Sequence, residues 1–481
     1  MGHEDVDLES VEREKELIES LAQRGAYDVI DTHISWVLLT GDFAYKIKKP
    51  IKLAFLDYST LEKRRHYCEL ELELNRRWAP EIYLDVVPIC GSFREPVVGG
   101  KGTPIEYAVK MKQFPQSAQL DMQLEAGLLN DADMIDLAET VAATHAAIPV
   151  YEALSAGEFF AAIRDAMFEN FEYLHEGADA DDIRKLKSWT RQGLDDCRDL
   201  MITRYESGFV RECHGDLHLK NLIRLPAGIV PYDCVEFSVE LRNIDVISDV
   251  SFLVMDLVAR AEKQLAYAFI NRYLECSGDY AGVSLLGLYF VYHALIRAKI
   301  AAIRAVERAS DTERQQDHEE TAHYCAVARR WAESDAPRLI IMHGFSGSGK
   351  TWLSQQLMVQ LPAIRVRSDI ERKRMHKLQE TEPSDSGVAQ GLYAPDARAG
   401  IYERLAGLAE TVLRAGHNVI VDASFLDRAE RDRFRDLARG AGREFVIVST
   451  SAARDELQRR IERRQHTGGD PSEADVAVLR Y

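Results

Sequence analysis

Hydrophobic and polar positions divide the first part of the chain into charged helices and apolar strands. Residues 8–24 and 60–78 carry apolar side chains at helical spacing. Residues 29–58 are instead rich in β-branched and aromatic side chains, which favour strands. Gly41 and Asp42 stand between two such runs, so a β-hairpin is predicted there.

The pattern then becomes mainly helical. Short strands are predicted around 82–90 and 105–114, and helices dominate from 116 to about 330. A loop at 213–236 interrupts them. This order predicts a small β-rich lobe with one helix, followed by a large helical lobe.

The chain changes character after Pro337. Helical stretches at 396–415 and 428–439 separate four apolar strands, RLIIMHGF, AIRVRSD, HNVIVDASF and REFVIVST. Strands that alternate with helices predict an α/β domain with a parallel sheet. A charged helix over 309–336 leads to the boundary, so the predicted domains are 1–330 and 337–481.

The composition narrows the possible partners. A formal net charge of −18 over 481 residues argues against sequence-independent binding to nucleic acid or anionic membrane, because both need a basic surface. The seven cysteines form no CxxC pair, and the acidic N-terminus lacks the apolar core of a signal peptide. The longest apolar runs, such as 285–296, are shorter than a bilayer span. We therefore expect a cytoplasmic protein that binds neither nucleic acid nor membrane, of unknown oligomeric state.

The stretch HGDLHLKN, residues 214–221, has the residue types that phosphoryl transfer requires. Transfer to a hydroxyl needs a carboxylate that orients the hydroxyl and accepts its proton, and oxygen ligands that hold magnesium against the phosphates. Asp216 can be the base, and Asn221 can hold a magnesium ion. Asp233, in PYDCVEF, can be the second metal ligand.

HGDLHLKN followed by YDCVEF resembles the aminoglycoside phosphotransferase branch of the protein-kinase-like fold, which has His-Gly-Asp in place of His-Arg-Asp. The resemblance implies an α+β, bilobal protein-kinase-like domain, with Asp216 as catalytic base and Asn221 and Asp233 as metal ligands. It also implies ATP and Mg²⁺ as cofactors and a small-molecule hydroxyl as substrate. Glu236 either assists the metal or substrate or has a structural role.

Kinases of this fold need a strand lysine on the nucleotide phosphates and a helix glutamate that fixes it. In FAYKIKK we choose Lys46, and Lys48, which faces the same way, stays as the alternative. Glu71 is the chosen glutamate, because it lies beside the apolar face of its helix. Glu69 and Glu73 are interpreted as charged helix surface.

RLIIMHGFSGSGKTWLSQQL is predicted to form a strand, a glycine-rich loop and a helix, and it fits G-x-x-x-x-G-K-[ST] in full. Backbone N–H groups of such a loop surround phosphates, and the helix N-terminus adds its dipole. The lysine reaches the β- and γ-phosphates and the threonine hydroxyl binds magnesium. The predicted nucleotide-binding residues are Gly344, Ser346, Gly347, Ser348, Gly349, Lys350 and Thr351.

Further residues accompany this loop. Asp369 and Asp422 end two predicted strands, and Arg460 and Arg464 lie four apart on a predicted helix. The set resembles the zeta-toxin-like and gluconate-kinase-like group of small P-loop kinases. The resemblance implies that Asp369 positions or deprotonates an acceptor hydroxyl and that the two arginines clamp the transferring phosphate. Asp422 is either a Walker-B-like carboxylate or structural, and the arginines over 454–464 also serve as helix surface.

The whole chain resembles a bacterial arrangement in which an aminoglycoside-phosphotransferase-like domain is fused to a P-loop kinase. One hypothesis is therefore a bifunctional ATP-dependent phosphotransferase that acts on a hydroxyl of a small molecule. The other is a regulator in which only the P-loop domain turns over ATP and the kinase-like lobe senses a nucleotide or metabolite. The stretch THISWVLLTGD supports the regulator, because it lacks the Gly-x-Gly of a nucleotide-covering hairpin.

Overall fold

The computed structural model describes residues 8–25, 27–53, 56–333, 336–378 and 395–467. The chain packs as two compact units, which comprise 1–153 with 204–249 and 154–203 with 250–481. This division differs from the boundary predicted at Pro337, because helices between 250 and 333 pack with the P-loop part of the chain. Independent folding of 1–330 and 337–481 stays a prediction.

The helices, in chain order, are α1 (Leu8–Gly25), α2 (Leu61–Asn75), α3 (Leu120–Glu125), α4 (Asp131–Ala147), α5 (Ala156–Glu169), α6 (Ala180–Glu206), α7 (Val239–Arg242), α8 (Val246–Ala259), α9 (Lys263–Ser277), α10 (Val283–Glu307), α11 (Asp311–Ala332), α12 (Lys350–Gln360), α13 (Ser368–Met375), α14 (Pro395–Arg414), α15 (Arg428–Gly440) and α16 (Arg454–Thr467). The strands are β1 (Asp28–Asp31), β2 (Ser35–Leu39), β3 (Phe43–Lys48), β4 (Lys52–Leu53), β5 (Leu56–Asp57), β6 (Tyr83–Gly91), β7 (Pro96–Val98), β8 (Pro104–Lys112), β9 (Val210–Glu212), β10 (Leu222–Leu225), β11 (Gly228–Pro231), β12 (Asn243–Asp245), β13 (Arg338–His343), β14 (Ala363–Arg367), β15 (Asn418–Asp422) and β16 (Glu444–Ser449).

The first unit contains an antiparallel sheet with strand order β1-β2-β3-β8-β6-β7. The β2–β3 hairpin turns at Gly41 and Asp42, which confirms the prediction. Side chains alternate along β3, so Ile47 packs with helix α1 on one face and Ala44 packs with helix α2 on the other. Lys46 shares the face of Ala44. The sheet therefore directs this lysine toward α2.

One short antiparallel strand pair borders the predicted loop at 213–236, and a second lies within it. Strand β9 pairs with β12, and β10 pairs with β11. Asp216 lies between β9 and β10, and Asp233 follows β11. The N–H of Val235 donates to the carbonyl oxygen of His214 at 3.0 Å. The segments that carry the two aspartates therefore lie side by side.

The second unit combines helices with a four-stranded sheet in the order β14-β15-β13-β16. Every strand pair in this sheet is parallel, which confirms the predicted α/β architecture. The glycine-rich loop connects β13 to α12. Apolar residues from β13, α12, β14 and β15 form the core between the sheet and its helix.

Helix α9 covers β14, the strand at one edge of this sheet. The amide of Asn271 donates to the carbonyl oxygen of Ala363 at 2.9 Å and accepts the N–H of Arg365 at 2.6 Å. One side chain thus makes the hydrogen bonds that a further strand would make, and it blocks an edge that could otherwise pair with another chain.

Within the described residues, one helix, Tyr280–Glu307, is long and apolar enough by length and composition to cross a membrane. This helix includes the apolar run at 285–296 and extends beyond it. However, 61% of its most apolar window is buried inside the protein, as in the core helix of a soluble fold. Phe290 on this helix stacks on Trp331 of α11 with a ring-centroid distance of 3.7 Å.

Candidate active sites

Gly215 shapes the loop that contains Asp216. Its φ is +82°, and a Cβ at this position would lie 2.6 Å from the carbonyl oxygen of Leu241, so only glycine fits. The loop presents Asp216, whose side chain is 38% exposed. Asn221 donates its amide to Oδ2 of Asp216 at 2.8 Å and to its carbonyl oxygen at 3.0 Å. The predicted base and one predicted metal ligand are therefore neighbours.

Asp249 fixes the backbone of this loop through hydrogen bonds. Its two carboxylate oxygens accept the N–H groups of His214 at 3.1 Å and Gly215 at 2.9 Å, and Nε2 of His145 lies 3.0 Å away. Burial would raise the pKa of Asp249, but the hydrogen bond from His145 lowers it below its usual value. The sequence places Asp249 near the loop, and no pattern in it indicates this anchoring role.

Lys46 reaches from β3 to two carboxylates. Its ammonium donates to Oε1 of Glu71 at 2.8 Å and also contacts Asp233. Burial alone would lower the pKa of Lys46, but Asp233 and Glu71 raise it well above its usual value. The side chains of Glu69 and Glu73 are exposed and pair with Arg65 and Arg77 instead.

Lys48, the alternative strand lysine, has a fully buried side chain, whereas 12% of the Lys46 side chain is exposed. A group that binds the phosphates of a diffusing nucleotide needs an accessible face. The geometry therefore favours Lys46 as the phosphate-binding lysine.

Asp233 has a left-handed backbone with φ of +60°, a conformation that is strained for a residue other than glycine. Its N–H donates to the hydroxyl of Tyr83 at 3.0 Å. Burial lowers the pKa of His214, and the carboxylates of Asp249, Asp216 and Asp233 oppose that shift. A carboxylate from Asp233 and an amide oxygen from Asn221 are the hard ligands that Mg²⁺ prefers, and they fit this ion.

The second site is the glycine-rich loop after β13. Gly344 has φ of +146°, and a Cβ there would lie 2.4 Å from the carbonyl oxygen of Thr450. Nζ of Lys350 donates to the carbonyl oxygen of Phe345 at 2.9 Å, and the hydroxyl of Ser348 lies 2.6 Å from that of Thr450. The loop thus curves around the start of α12, where N–H groups can surround a phosphate. The same segment contains the other predicted loop residues, Ser346, Gly347, Gly349 and Thr351.

Ser354 connects α12 to the end of β15. Its hydroxyl lies 2.9 Å from the carbonyl oxygen of Thr351 and 3.1 Å from Oδ2 of the buried Asp422. Asp422 therefore stands beside the helical turn that carries the predicted magnesium-binding hydroxyl, which favours the Walker-B-like interpretation. Ser354 belongs to no motif in the sequence.

The predicted acceptor and lid residues lie on two other helices. Asp369 is in the first turn of α13, at the carboxyl end of β14, and pairs with Arg372 at 3.0 Å. Arg460 on α16 places Nη1 3.4 Å from the carbonyl oxygen of Gly347, so it borders the glycine-rich loop. The side chain of Arg464 lies outside the described part of the chain.

The described residues combine an α+β part built on an antiparallel sheet with an α/β P-loop part built on a parallel sheet. Residues 339–481 match the AAA domain family. Over 460 residues the chain is 28% identical to the uncharacterized protein Rv2004c of Mycobacterium tuberculosis, covering 94% of this chain and 89% of that protein. This relative therefore spans both parts of the chain.

Two solved structures are also similar. Choline kinase from Cryptosporidium parvum has a TM-score of 0.39 and 11% identity, covering 66% of this chain and 96% of that chain. An ADP-bound aminoglycoside phosphotransferase has a TM-score of 0.33 and 11% identity, covering 66% of this chain and 98% of that chain.

Proposed function

We propose that the kinase-like unit transfers the γ-phosphoryl group of ATP to a hydroxyl of a small molecule. The observation that carries this proposal is the hydrogen bond from Asn221 to Asp216, within the same unit as the contacts of Lys46 with Glu71 and Asp233. A base, two metal ligands and a phosphate-binding cation are thereby available in one unit.

The transfer would proceed with Asp216 as base. The acceptor oxygen forms a bond to the γ-phosphorus of ATP. The bond between the γ-phosphorus and the oxygen that bridges the β- and γ-phosphates breaks, so ADP leaves, and the hydroxyl proton passes to Asp216. Lys46 would exchange Asp233 for phosphate oxygens while Glu71 keeps its ammonium in place. Asn221 and Asp233 would hold Mg²⁺, which offsets the negative charge of the phosphates when bound.

We propose that the P-loop domain is a second kinase site on the same chain. Lys350 and Thr351 would bind Mg-ATP, and Asp369 would orient or deprotonate the second acceptor. Arg460 and Arg464 would clamp the transferring phosphate. The position of Arg460 beside the glycine-rich loop supports this assignment.

We also propose the cytoplasm as the location and small molecules as the substrates, without a nucleic-acid or membrane partner. All seven cysteines are free thiols, which fits a reducing compartment. The net charge of −18 disfavours binding to phosphate backbones and anionic lipids.

A second candidate function is regulation, in which the kinase-like unit binds a nucleotide or metabolite without turnover and the P-loop domain alone consumes ATP. The contact between Lys46 and Asp233 favours the regulatory function, because the Asp233 carboxylate pairs with an ammonium group, whereas catalysis needs it to bind the metal. The segment between β1 and β2 also lacks the Gly-x-Gly that covers phosphates in kinases.

ATP consumption by the full chain, measured against a panel of sugars, amino alcohols, nucleosides and aminoglycosides, separates these functions. Lys350→Met silences the P-loop site and should keep an acceptor-dependent activity that adding Asp216→Asn removes. Asp85→Asn, at an exposed carboxylate on β6, is the matched control and should change nothing. No activity in Lys350→Met with any acceptor, together with unchanged activity in Asp216→Asn, would favour the regulator.

A further inference from the structure

Lys48 forms a buried network beside the candidate kinase site. Its side chain is fully buried, and its ammonium donates to Oε2 of Glu71 at 2.7 Å and to the hydroxyl of Tyr58 at 3.3 Å. It also contacts the buried carboxylate of Glu236, which accepts a hydrogen bond from the Tyr58 hydroxyl. With no exposed surface, Lys48 has no route to a nucleotide phosphate.

Glu71 is shared between two lysines. Lys46 binds its Oε1 and Lys48 binds its Oε2, so each carboxylate oxygen has its own ammonium group. When Lys46 turns toward phosphate oxygens, the contact with Lys48 still fixes the orientation of Glu71.

Glu236 lies three residues after the predicted metal ligand Asp233. Between them, the N–H of Cys234 donates to Oδ1 of Asn75 on α2 at 2.9 Å. Lys48 adds a charged contact from β3 to the same segment. The segment that includes the strained backbone of Asp233 is therefore held from both α2 and β3.

We propose that Lys48 is a positioning residue that joins Glu71 on α2 to Glu236 in the segment from Asp233 to Glu236, which we call the metal-binding segment. Lys48 thereby fixes the position of Asp233 relative to the Lys46–Glu71 pair. This inference rests on the proposed function of the kinase-like site. It assigns separate tasks to the two strand lysines: Lys46 binds phosphate, and Lys48 sets the geometry in which Lys46 and the metal meet.

The test measures how Mg²⁺ supports binding of a non-hydrolysable ATP analogue to the full chain, in a Lys350→Met background that silences the P-loop site. Lys48→Met should raise the Mg²⁺ concentration for half-saturation by about 10–100-fold, the range for residues that orient metal ligands. Arg64→Met is the matched control. Arg64 is a buried cation on α2 that pairs with Glu14 and Glu106 and donates to the backbone carbonyl oxygens of Tyr58 and Ser59. Among the described residues, none of these partners lies in the segment from Asp233 to Glu236. Arg64→Met should lower the melting temperature and leave the Mg²⁺ requirement unchanged.

A second variant protects the test against misfolding of Lys48→Met. Glu236→Gln keeps the shape of the side chain and removes the charge that Lys48 binds, so it should raise the Mg²⁺ requirement in the same direction. The double variant should have a Mg²⁺ requirement close to that of each single variant, because both single substitutions remove the same contact between Lys48 and Glu236. A Mg²⁺ requirement in Lys48→Met and Glu236→Gln equal to that of Arg64→Met would overturn the positioning role.

The same experiment separates this inference from the proposed function. Lys46→Met and Asp233→Asn should each weaken Mg-nucleotide binding. If they do and the Lys48 variants do not, only the positioning role fails. If Lys46→Met and Asp233→Asn also leave binding unchanged, the nucleotide site itself is wrongly assigned and the inference fails with it.

Discussion

The carboxylate of Glu275 on α9 lies 2.9 Å from the guanidinium group of Arg365 on β14, and both side chains are buried. Arg367 approaches the same carboxylate at 3.5 Å. Burial would raise the pKa of Glu275, but the two arginines lower it, so the carboxylate stays charged. This pair fastens the helix that covers the sheet edge to the P-loop sheet.

Glu275→Ala should destabilise the protein by about 3–5 kcal/mol, because it leaves buried arginines without their counter-charge. Urea denaturation followed by circular dichroism measures the change. Glu410→Ala is the control, since Glu410 forms only an exposed pair with Arg414 and should cost no more than about 0.5 kcal/mol. Equal costs for the two variants would mean that the ion pair does not hold α9 on the sheet.

His417 should make stability depend on pH. Burial lowers its pKa from 6.5 to about 4, and its ring packs edge-on against Trp331. Between these values the unfolded chain binds a proton that the folded chain excludes. His417 by itself should therefore lower the free energy of unfolding by about 3 kcal/mol as the pH drops from about 6.5 to about 4, at ~1.4 kcal/mol per pH unit. The buried Glu14, whose pKa is raised to about 9, has the opposite slope over this range and offsets part of the loss in the whole protein.

His417→Phe removes the titrating group and keeps an aromatic contact with Trp331. Urea unfolding at several pH values should show that this variant loses less stability than wild type as the pH falls from ~6.5 to ~4. His33→Phe, at an exposed position before β2, is the control and should keep the wild-type slope. Parallel profiles for wild type and His417→Phe would contradict the assignment.

Gly344→Ala should disable the P-loop site. The new Cβ would lie 2.4 Å from the carbonyl oxygen of Thr450, at a φ of +146° that other residues rarely adopt, at a cost on the order of 1–3 kcal/mol. Nucleotide binding to a Lys46→Met background, which leaves only this site, should be lost. Gly440→Ala, at the end of α15 with open space around it, should bind normally. Normal binding by Gly344→Ala would show that the loop does not hold phosphate as described.

Asp216→Ala should lower turnover at the kinase-like site by about 10²–10⁴-fold while nucleotide binding is nearly kept, because a base acts on the acceptor and not on ATP. Asp233→Ala should instead weaken Mg-ATP binding. Turnover and binding measured in the Lys350→Met background distinguish the two effects. If Asp216→Ala phosphorylates the acceptor as fast as wild type does, Asp216 is not the catalytic base.

The two phosphate-handling loops could be predicted from the sequence because each depends on residues close together in the chain. Gly344 and Lys350 belong to one continuous loop, and the spacing from Asp216 to Asn221 is a single short turn. The β2–β3 hairpin and the parallel sheet were equally predictable, since turn residues and strand–helix alternation are local signals.

Features that depend on distant residues could not be predicted. Alternation places Lys46 and Lys48 on the same face, and contacts with distant residues distinguish their environments, such as the contact of Lys48 with Glu236, 188 residues away. Asn271 covers β14 through a hydrogen bond to Ala363, 92 residues away, and no periodicity marks it. The packing of α9 against β14 and of α10 against α14 likewise depends on tertiary contacts that strand and helix patterns do not specify.

We propose that one chain holds two separate nucleotide sites. Calorimetric titration of the full chain with a non-hydrolysable ATP analogue and Mg²⁺ tests it most directly. Wild type should bind two molecules of the analogue. Lys350→Ala should bind one, at the kinase-like site, and Lys46→Met should bind one, at the P-loop site, because the two sites share no residue. Lys350→Ala should lose on the order of 1.5–3 kcal/mol of binding free energy at the P-loop site, the usual worth of a hydrogen bond to a charged group. A wild-type stoichiometry of one would contradict the account and leave the P-loop domain as the only nucleotide site.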